Sequence, residues 1–277
     1  MSSYQQQIEE WRAAQEASLR SEDGWLALAG LFWLEEGQNW VGASDDDTVI
    51  LPAGIAAGQV AVLIRQGQQV SIRPIDRAAL MVNGEPLLAE RSLAADMPGP
   101  ADLVTIGSVT FFVIIRGERV GIRMRDAKHP AREAFTGREW YPIQPEARVV
   151  GRFLPDETPQ QIAIPNILGD TEWQESPGVV EFAWGGQPVR LRPTQTKRGL
   201  FFIVRDTTSG HETYGIGRFL VTDLPNDGVV TLDLNQLYNP PCAFTPYATC
   251  PMAPRENHLT VAITAGERYH AKEGHAH

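Results

Sequence analysis

Residues 109–125 read VTFFVIIRGERVGIRMR, and this stretch decides the fold class. Two runs rich in β-branched and aromatic residues, Val109–Ile115 and Val120–Arg125, flank the polar turn Arg116-Gly117-Glu118-Arg119. Each run is too short for an ordinary helix, and such residues fit a pleated, half-buried surface. The pair predicts an antiparallel hairpin. Working outward, Gln59–Arg65 and Gln69–Arg73 surround Gln66-Gly67-Gln68, while Ala79–Val82 and Pro86–Leu88 surround Asn83-Gly84. Asn-Gly is a strong hairpin signal because both central residues of a type I′ turn need positive φ. Short strands at this spacing predict a sandwich over 36–126.

Upstream, Ile8, Trp11, Gln15 and Leu19 recur at helical spacing and predict a helix over residues 4–20, ended by Asp23-Gly24. The apolar run Gly24–Leu34 follows and is expected to be a short buried helix or turn, so residues 1–35 form a helical arm. Downstream, 127–145 is a proline-bearing connector whose Trp140-Tyr141-Pro142 is too aromatic to stay in water. From 146 to 268 the β pattern resumes: Val179–Trp184 and Pro188–Leu191 flank Gly185-Gly186, and Leu200–Arg205, Gly228–Leu234 and His258–Ala265 are further expected strands. Residues 269–277 form a polar, flexible tail whose histidines lack fixed geometry for a metal. The expected fold is therefore all-β and mainly antiparallel, with an N-terminal helical arm, a sandwich-like first domain and a β-rich second domain.

Composition narrows the function. The net charge is −10, and ten acids against two bases in residues 1–47 supply most of it. An acidic chain without a dominant basic stripe is a poor phosphate-backbone binder, so no nucleic-acid partner is expected. Gly24–Leu34 is shorter than the roughly 20 residues a spanning helix needs, and no basic, apolar leader is visible. A soluble, cytoplasmic protein with no membrane partner is the expectation. Two cysteines cannot form a disulfide framework.

Familiar chemical signatures are incomplete. His211-Glu212-Thr213-Tyr214-Gly215 is half of a zincin motif, with Gly215 where a second His is needed. Gly215-Ile216-Gly217 lacks the third glycine and the strand-to-helix context of a dinucleotide site. What remains is a dense polar set. Five bases and no acid lie between Phe182 and Arg205, and Arg190 and Arg192 share a strand face; this is either an outward polar face or an anion-binding wall with Arg198 in the turn at its rim. His211, Glu212, Tyr214 and Arg218 follow, and Tyr214 and Arg218, four apart, share a face in strand or helix. The loop 235–251, Asn235-Gln-Leu-Tyr238-Asn239-Pro-Pro-Cys242-Ala-Phe-Thr-Pro-Tyr247-Ala-Thr-Cys250-Pro251, holds both cysteines among aromatics and prolines. Its thiols are buried inert groups, a redox pair, or a catalytic or metal-bound thiolate.

The motifs Thr213-Tyr214-Gly215-x-Gly217-Arg218-Phe219-Leu220, Asp233-Leu234-Asn235-x-x-Tyr238-Asn239-Pro240-Pro241-Cys242-Ala243-Phe244, Thr249-Cys250-Pro251 and Ala265-Gly266-Glu267 resemble the signature of domain-of-unknown-function family 1684, found in bacteria and archaea. Gly24–Leu34 and Trp140-Tyr141-Pro142 resemble its earlier landmarks, so the resemblance covers nearly the whole chain. Leu234 stands where an aromatic is expected and Arg268 where Lys is expected. The resemblance implies no activity. The Asn-Gly hairpin followed by Ile106-Gly107 and a strand pair also resembles a forkhead-associated-type sandwich, a fold-level analogy alone.

Two functions follow from the residues. One is a small-molecule enzyme of unassigned reaction, its pocket formed by loop 235–251. His211, Glu212 or Asp233 would act as base and Cys242 or Cys250 as nucleophile or redox group; Arg198, Tyr214, Arg218, Asn235, Tyr238, Asn239 and Tyr247 would bind a small anionic molecule. The alternative is a non-catalytic ligand-binding or structural module, in which each of these groups is paired. No cofactor and no metal ligand set is named by the sequence, and oligomeric state is not legible in it.

Overall fold

The structure, a computed structural model, describes residues 3–76, 78–197 and 199–269. The chain is mostly antiparallel β with one long N-terminal helix, Tyr4–Arg20. It divides into two compact units, one from Ser18 to Phe135, the other made of the residues up to Ala17 together with those from Thr136 onward. Arg198 and most of the tail lie outside the described residues.

The unit Ser18–Phe135 holds two sheets. One orders the strands Leu28–Trp33, Arg119–Asp126, Val109–Arg116, Val104–Ile106, Met81–Val82 and Glu85–Pro86; the other orders Val49–Ile50, Gly37–Gly42, Ala61–Gln66, Gln69–Pro74 and Arg91–Leu93. Alternate residues of both, among them Leu63, Ile72, Phe111 and Ile122, meet in one fully apolar core. The Asn-Gly turn takes the expected geometry, with Asn83 at φ 52° and Gly84 at φ 83°. The run Trp25–Leu34 is a correction. After a single 3-10 turn, Trp25–Ala27, Leu28–Trp33 is an edge strand paired with Arg119–Asp126, not part of a helical arm. An uninterrupted apolar run has no periodicity to separate helix from strand.

The second unit carries a four-stranded sheet, Gln187–Leu191, Thr171–Trp184, Arg148–Pro165 and Val229–Asp233, and a three-stranded one, Thr194–Thr196, Gly199–Val204 and Arg218–Thr222. The long strand Arg148–Pro165 was hidden in the sequence by Pro155 and Pro159, which sit in a register shift between Pro155 and Gln160. His258–Ala265, expected as a strand, is irregular. Its one ladder-like contact is a bridge from His258 to Arg205, and its later carbonyls turn to a side chain instead. Helix residues Tyr4–Ala17 belong to this unit. Trp11 packs edge-on against Trp140 and Tyr238 at centroid distances of 5.7 and 6.3 Å, and Arg12 lies over Trp140, which is half-buried.

Candidate functional site

Two long loops, 205–217 and 234–268, contain most of the residues expected to carry chemistry. With little ladder pairing, their backbone groups need other partners. The largest is Arg218, which opens the strand Arg218–Thr222 and is 0 % exposed. Gly217 delivers the chain there at φ +112°, where a Cβ would come within 2.8 Å of the Val204 carbonyl. Arg218 Nη2 donates to Asp206 Oδ2 at 2.8 Å and to the Ile263 carbonyl at 2.9 Å; Nη1 donates to the carbonyls of Ala265 (2.5 Å) and Glu267 (3.2 Å). The carboxylate partner is thus Asp206, not Asp233 or Glu212. Asp206 also accepts from Thr208 N at 2.8 Å and Thr208 Oγ1 at 2.6 Å, and Thr208 Oγ1 meets Thr213 Oγ1. A guanidinium so surrounded is a strut for the loops, with its charge neutralised where it lies.

A second buried pair lies nearby in sequence. Glu267 is 1 % exposed, and its Oε2 accepts from Arg138 Nη1 at 2.6 Å and from Asn239 N at 2.7 Å. Burial pushes the Glu267 carboxyl up to about 7, against the opposing pull of Arg138 and Asn239. Gly266 makes the turn before it at φ +81°, with the Leu237 carbonyl 2.6 Å from any Cβ placed there. Asn239 Nδ2 donates to the Arg268 carbonyl, while its buried Oδ1 has no partner among the described residues.

The remaining expected site residues are dispersed. Asp233 caps the 3-10 turn Leu234–Gln236 through Asn235 N and accepts from Tyr4 Oη at 2.9 and 3.0 Å. Asn235 Nδ2 donates to Tyr4 Oη and the Gln144 carbonyl, and its Oδ1 accepts from Gln144 N. Burial, reinforced by Asp233, pushes the Tyr4 hydroxyl up to about 12. Glu212 is exposed and accepts from Tyr141 Oη at 3.0 Å; His211 is exposed beside it. Tyr238 packs edge-on against Phe219, and Tyr247 N donates to Thr245 Oγ1. Arg190 pairs with Glu181 and Arg192 with Asp156, so both arginines of the expected anion wall are already engaged with carboxylates.

The cysteines do come together. Cys242 and Cys250 are reduced, 4 % and 3 % exposed, and Cys242 N donates to Cys250 Sγ at 3.1 Å. Tyr214 Oη donates to the Cys242 carbonyl at 3.0 Å, and its ring packs edge-on against Tyr269. The Cys250 thiol lowers the Cys242 pKa, burial opposes that, and Tyr214 lowers it further. Among the described residues no cluster of three or more His, Cys, Asp or Glu could hold a metal ion, and no helix is long and apolar enough to cross a membrane.

A cavity of about 570 Å³ opens in this unit, and none of those residues lines it. Its apolar walls are Ala163, Pro165, Ile216, Met252 and Ala253; its polar atoms come from Thr171, Arg205, Arg255, Glu256 and His258. The segment that follows the second cysteine builds one wall. Met252 N donates to the Pro165 carbonyl at 2.7 Å, Ile167 N to the Cys250 carbonyl at 3.1 Å, and Ala253 N to the Ile216 carbonyl at 3.3 Å. Sequence reading missed this site because its cations, Arg205, Arg255 and His258, are separated in the chain; Arg205 alone fell within the basic stretch already noticed.

The irregular loops braced by buried ion pairs over a β framework all lie in the unit that runs from Thr136 onward. Residues 133–268 belong to the family described as "Protein of unknown function (DUF1684)", whose model matches that stretch. Among solved structures, an uncharacterised protein of Haloarcula marismortui, determined by solution NMR, is 30% identical over 52% of this chain and 81% of its own, at a TM-score of 0.42. An FHA domain from a study of phosphothreonine-dependent interactions is 20% identical over 34% of this chain and 92% of its own, at 0.25. The FhaA FHA domain, solved with the intracellular domain of Rv3910, gives 20%, 34%, 97% and 0.25. No curated protein matches.

Proposed function

We propose that the C-terminal unit is a non-catalytic small-molecule-binding module, and that its ligand site is the cavity beside Met252 rather than the cysteine loop itself. The observation that carries this reading is the cavity: at about 570 Å³ it falls within the roughly 300–1,000 Å³ usual for ligand pockets, with apolar walls and a few polar groups. Polar residues first considered for a site at the cysteine loop support it from the other side. Asp233, a candidate base, and Arg218 and Asn235, candidate ligand contacts, have their charges or amides taken up by protein partners. A thermal-shift screen against small organic acids, amines and neutral metabolites tests the reading. At least one class should raise Tm in a concentration-dependent way, because a ligand that binds only the native state stabilises it. A flat screen across all three classes counts against it.

One observation favours the enzyme reading, the Cys242 thiol held below its ordinary range by Cys250 and Tyr214. An active thiolate must also be reachable. Thiol titration of the native protein separates the two. Rapid modification of one thiol per chain supports a nucleophilic Cys242, and modification only after denaturation supports the binding module.

A further inference from the structure

Three polar side chains at the cavity differ in how far the protein has already used them. Arg205 is clamped through its backbone, its N donating to the Asn257 carbonyl at 3.1 Å and its carbonyl accepting from Leu259 N at 2.7 Å. Its side-chain Nε donates to the Gly215 carbonyl at 3.1 Å. That one bond fixes the plane of the guanidinium, and its two terminal amino groups have no acceptor among the described residues. His258 Nε2 lies 3.1 Å from the Ala253 carbonyl. A carbonyl only accepts, so Nε2 carries the proton and Nδ1 is left for a ligand or water. Arg255 makes no side-chain hydrogen bond or ion pair among the described residues. Arg190 and Arg192, by contrast, are matched to carboxylates, Glu181 and Asp156. Arg205 and Arg255 thus meet at one cavity without a carboxylate ion pair among the described residues.

Charge limits what these groups can take. The two guanidinium groups of Arg205 and Arg255 outnumber the one carboxylate at the cavity, Glu256. Ile216 and Met252 offer an apolar wall to the rest of a ligand, and burying such a body supplies binding that an inorganic ion cannot gain. Two guanidinium groups suit a planar or trigonal anion, which they can contact through paired N–H donors.

We propose that this cavity binds an organic monoanion, a carboxylate or sulfonate on an apolar body, with the anionic group at Arg205 and Arg255 and the body against Ile216 and Met252. The proposal rests on the small-molecule reading above and names its ligand class. The test uses two fluorescent probes with one ring skeleton: anilinonaphthalene sulfonate, an anion, and phenylnaphthylamine, its neutral counterpart. Each is titrated into the full chain, into Arg205→Gln and Arg255→Gln, and into the cavity-filling Ala163→Phe. Thr171→Trp, at an exposed wall position, stands in if Ala163→Phe does not fold. The intact protein is expected to bind the sulfonate roughly tenfold more tightly than the neutral probe, the scale of a charge-assisted hydrogen bond. Either arginine variant should erase most of that preference and leave the neutral probe unchanged, and filling the cavity should weaken both. Equal affinity for the two probes, both lost on filling, overturns the monoanion assignment and leaves the small-molecule reading standing. Binding that ignores the filled cavity overturns both, and a preference that survives both arginine variants overturns the assignment of those residues.

Discussion

The two units solve the problem of a β-rich core in opposite ways. Between Ser18 and Phe135 the strands are regular, their ladders satisfy the backbone, and the core is aliphatic and aromatic; ion pairs such as Arg116–Asp96 and Arg65–Glu36 sit where water reaches them. In the other unit, ladders give way to the loops 205–217 and 234–268, and the interior contains Arg218–Asp206 and Arg138–Glu267. The difference shows what a buried guanidinium is for here. Irregular chain brings carbonyls inside without partners, and Arg218 satisfies those of Ile263, Ala265 and Glu267 at once. Where ladders exist, buried polar side chains are fewer, Asn39, Asp47, Arg123 and Asp126 among them.

This contrast makes Arg218 the residue whose loss should be felt most. Arg218→Met removes the charge partner of a buried Asp206 and orphans those carbonyls. A cost of about 3–5 kcal/mol is expected from breaking a buried pair, read as a lower midpoint in urea denaturation with an unchanged slope. Ile72→Val, a methyl removed from the sandwich core, should cost only about 1 kcal/mol. If the two variants unfold at similar urea concentrations, Arg218 is not the brace described.

Glu267 sharpens the comparison through pH. Its folded pKa of about 7 lies above the ordinary 4.5 because burial disfavours the carboxylate. The native state therefore binds more protons than the unfolded one between those values, and stability falls as pH rises. The contribution is fully present below about 4.5 and lost by about 7, a change on the order of 2–3 kcal/mol. Glu267→Gln should flatten that part of the stability profile between pH 5 and pH 8 relative to the parent protein, whatever it does to stability at any one pH. Parallel profiles would show that Arg138 holds the carboxylate charged throughout.

How much of this was legible in the sequence follows the same divide. The hairpin at Asn83-Gly84 and the strand pair around Gly117 were readable because turn chemistry and β-branched runs are local signals. Leu28–Trp33 was not, since an unbroken apolar run looks the same in helix and strand. In the C-terminal unit, the irregular path of 258–265 depends on a side chain some forty residues upstream, which no local pattern reports. The density of polar groups at 211–218 was visible, and so was the alternative in which Arg218 is paired within the protein. The partner was not: Asp206 both accepts from Thr208 N in the turn and serves as the counter-ion of Arg218. The loop that holds Cys242 and Cys250 was visible as a proline-bearing aromatic segment, and the two residues meet within it. The cavity did not, because its lining is assembled from separate segments.

Tyr4 should give the smallest effect, and it tests whether the N-terminal helix is held by polar contacts or by packing. Its hydroxyl donates to Asp233 and accepts from Asn235 Nδ2 at 2.8 Å, so a residue near the start of the chain completes the cap of the turn Leu234–Gln236. Tyr4→Phe removes that oxygen and keeps the ring, which lies beneath the Arg148 guanidinium. Asp233 still accepts from Asn235 N, and Asn235 still donates to the Gln144 carbonyl, so neither partner is stranded. The expected loss is about 0.5–1.5 kcal/mol, the net worth of an ordinary hydrogen bond, close to that of Ile72→Val and well below that of Arg218→Met. Helix content by far-UV circular dichroism should stay unchanged, since Trp11 remains packed on Trp140 and Tyr238. A loss as large as that of Arg218→Met, accompanied by lower helix content, would mean that the Tyr4–Asp233 contact rather than aromatic packing docks the helix.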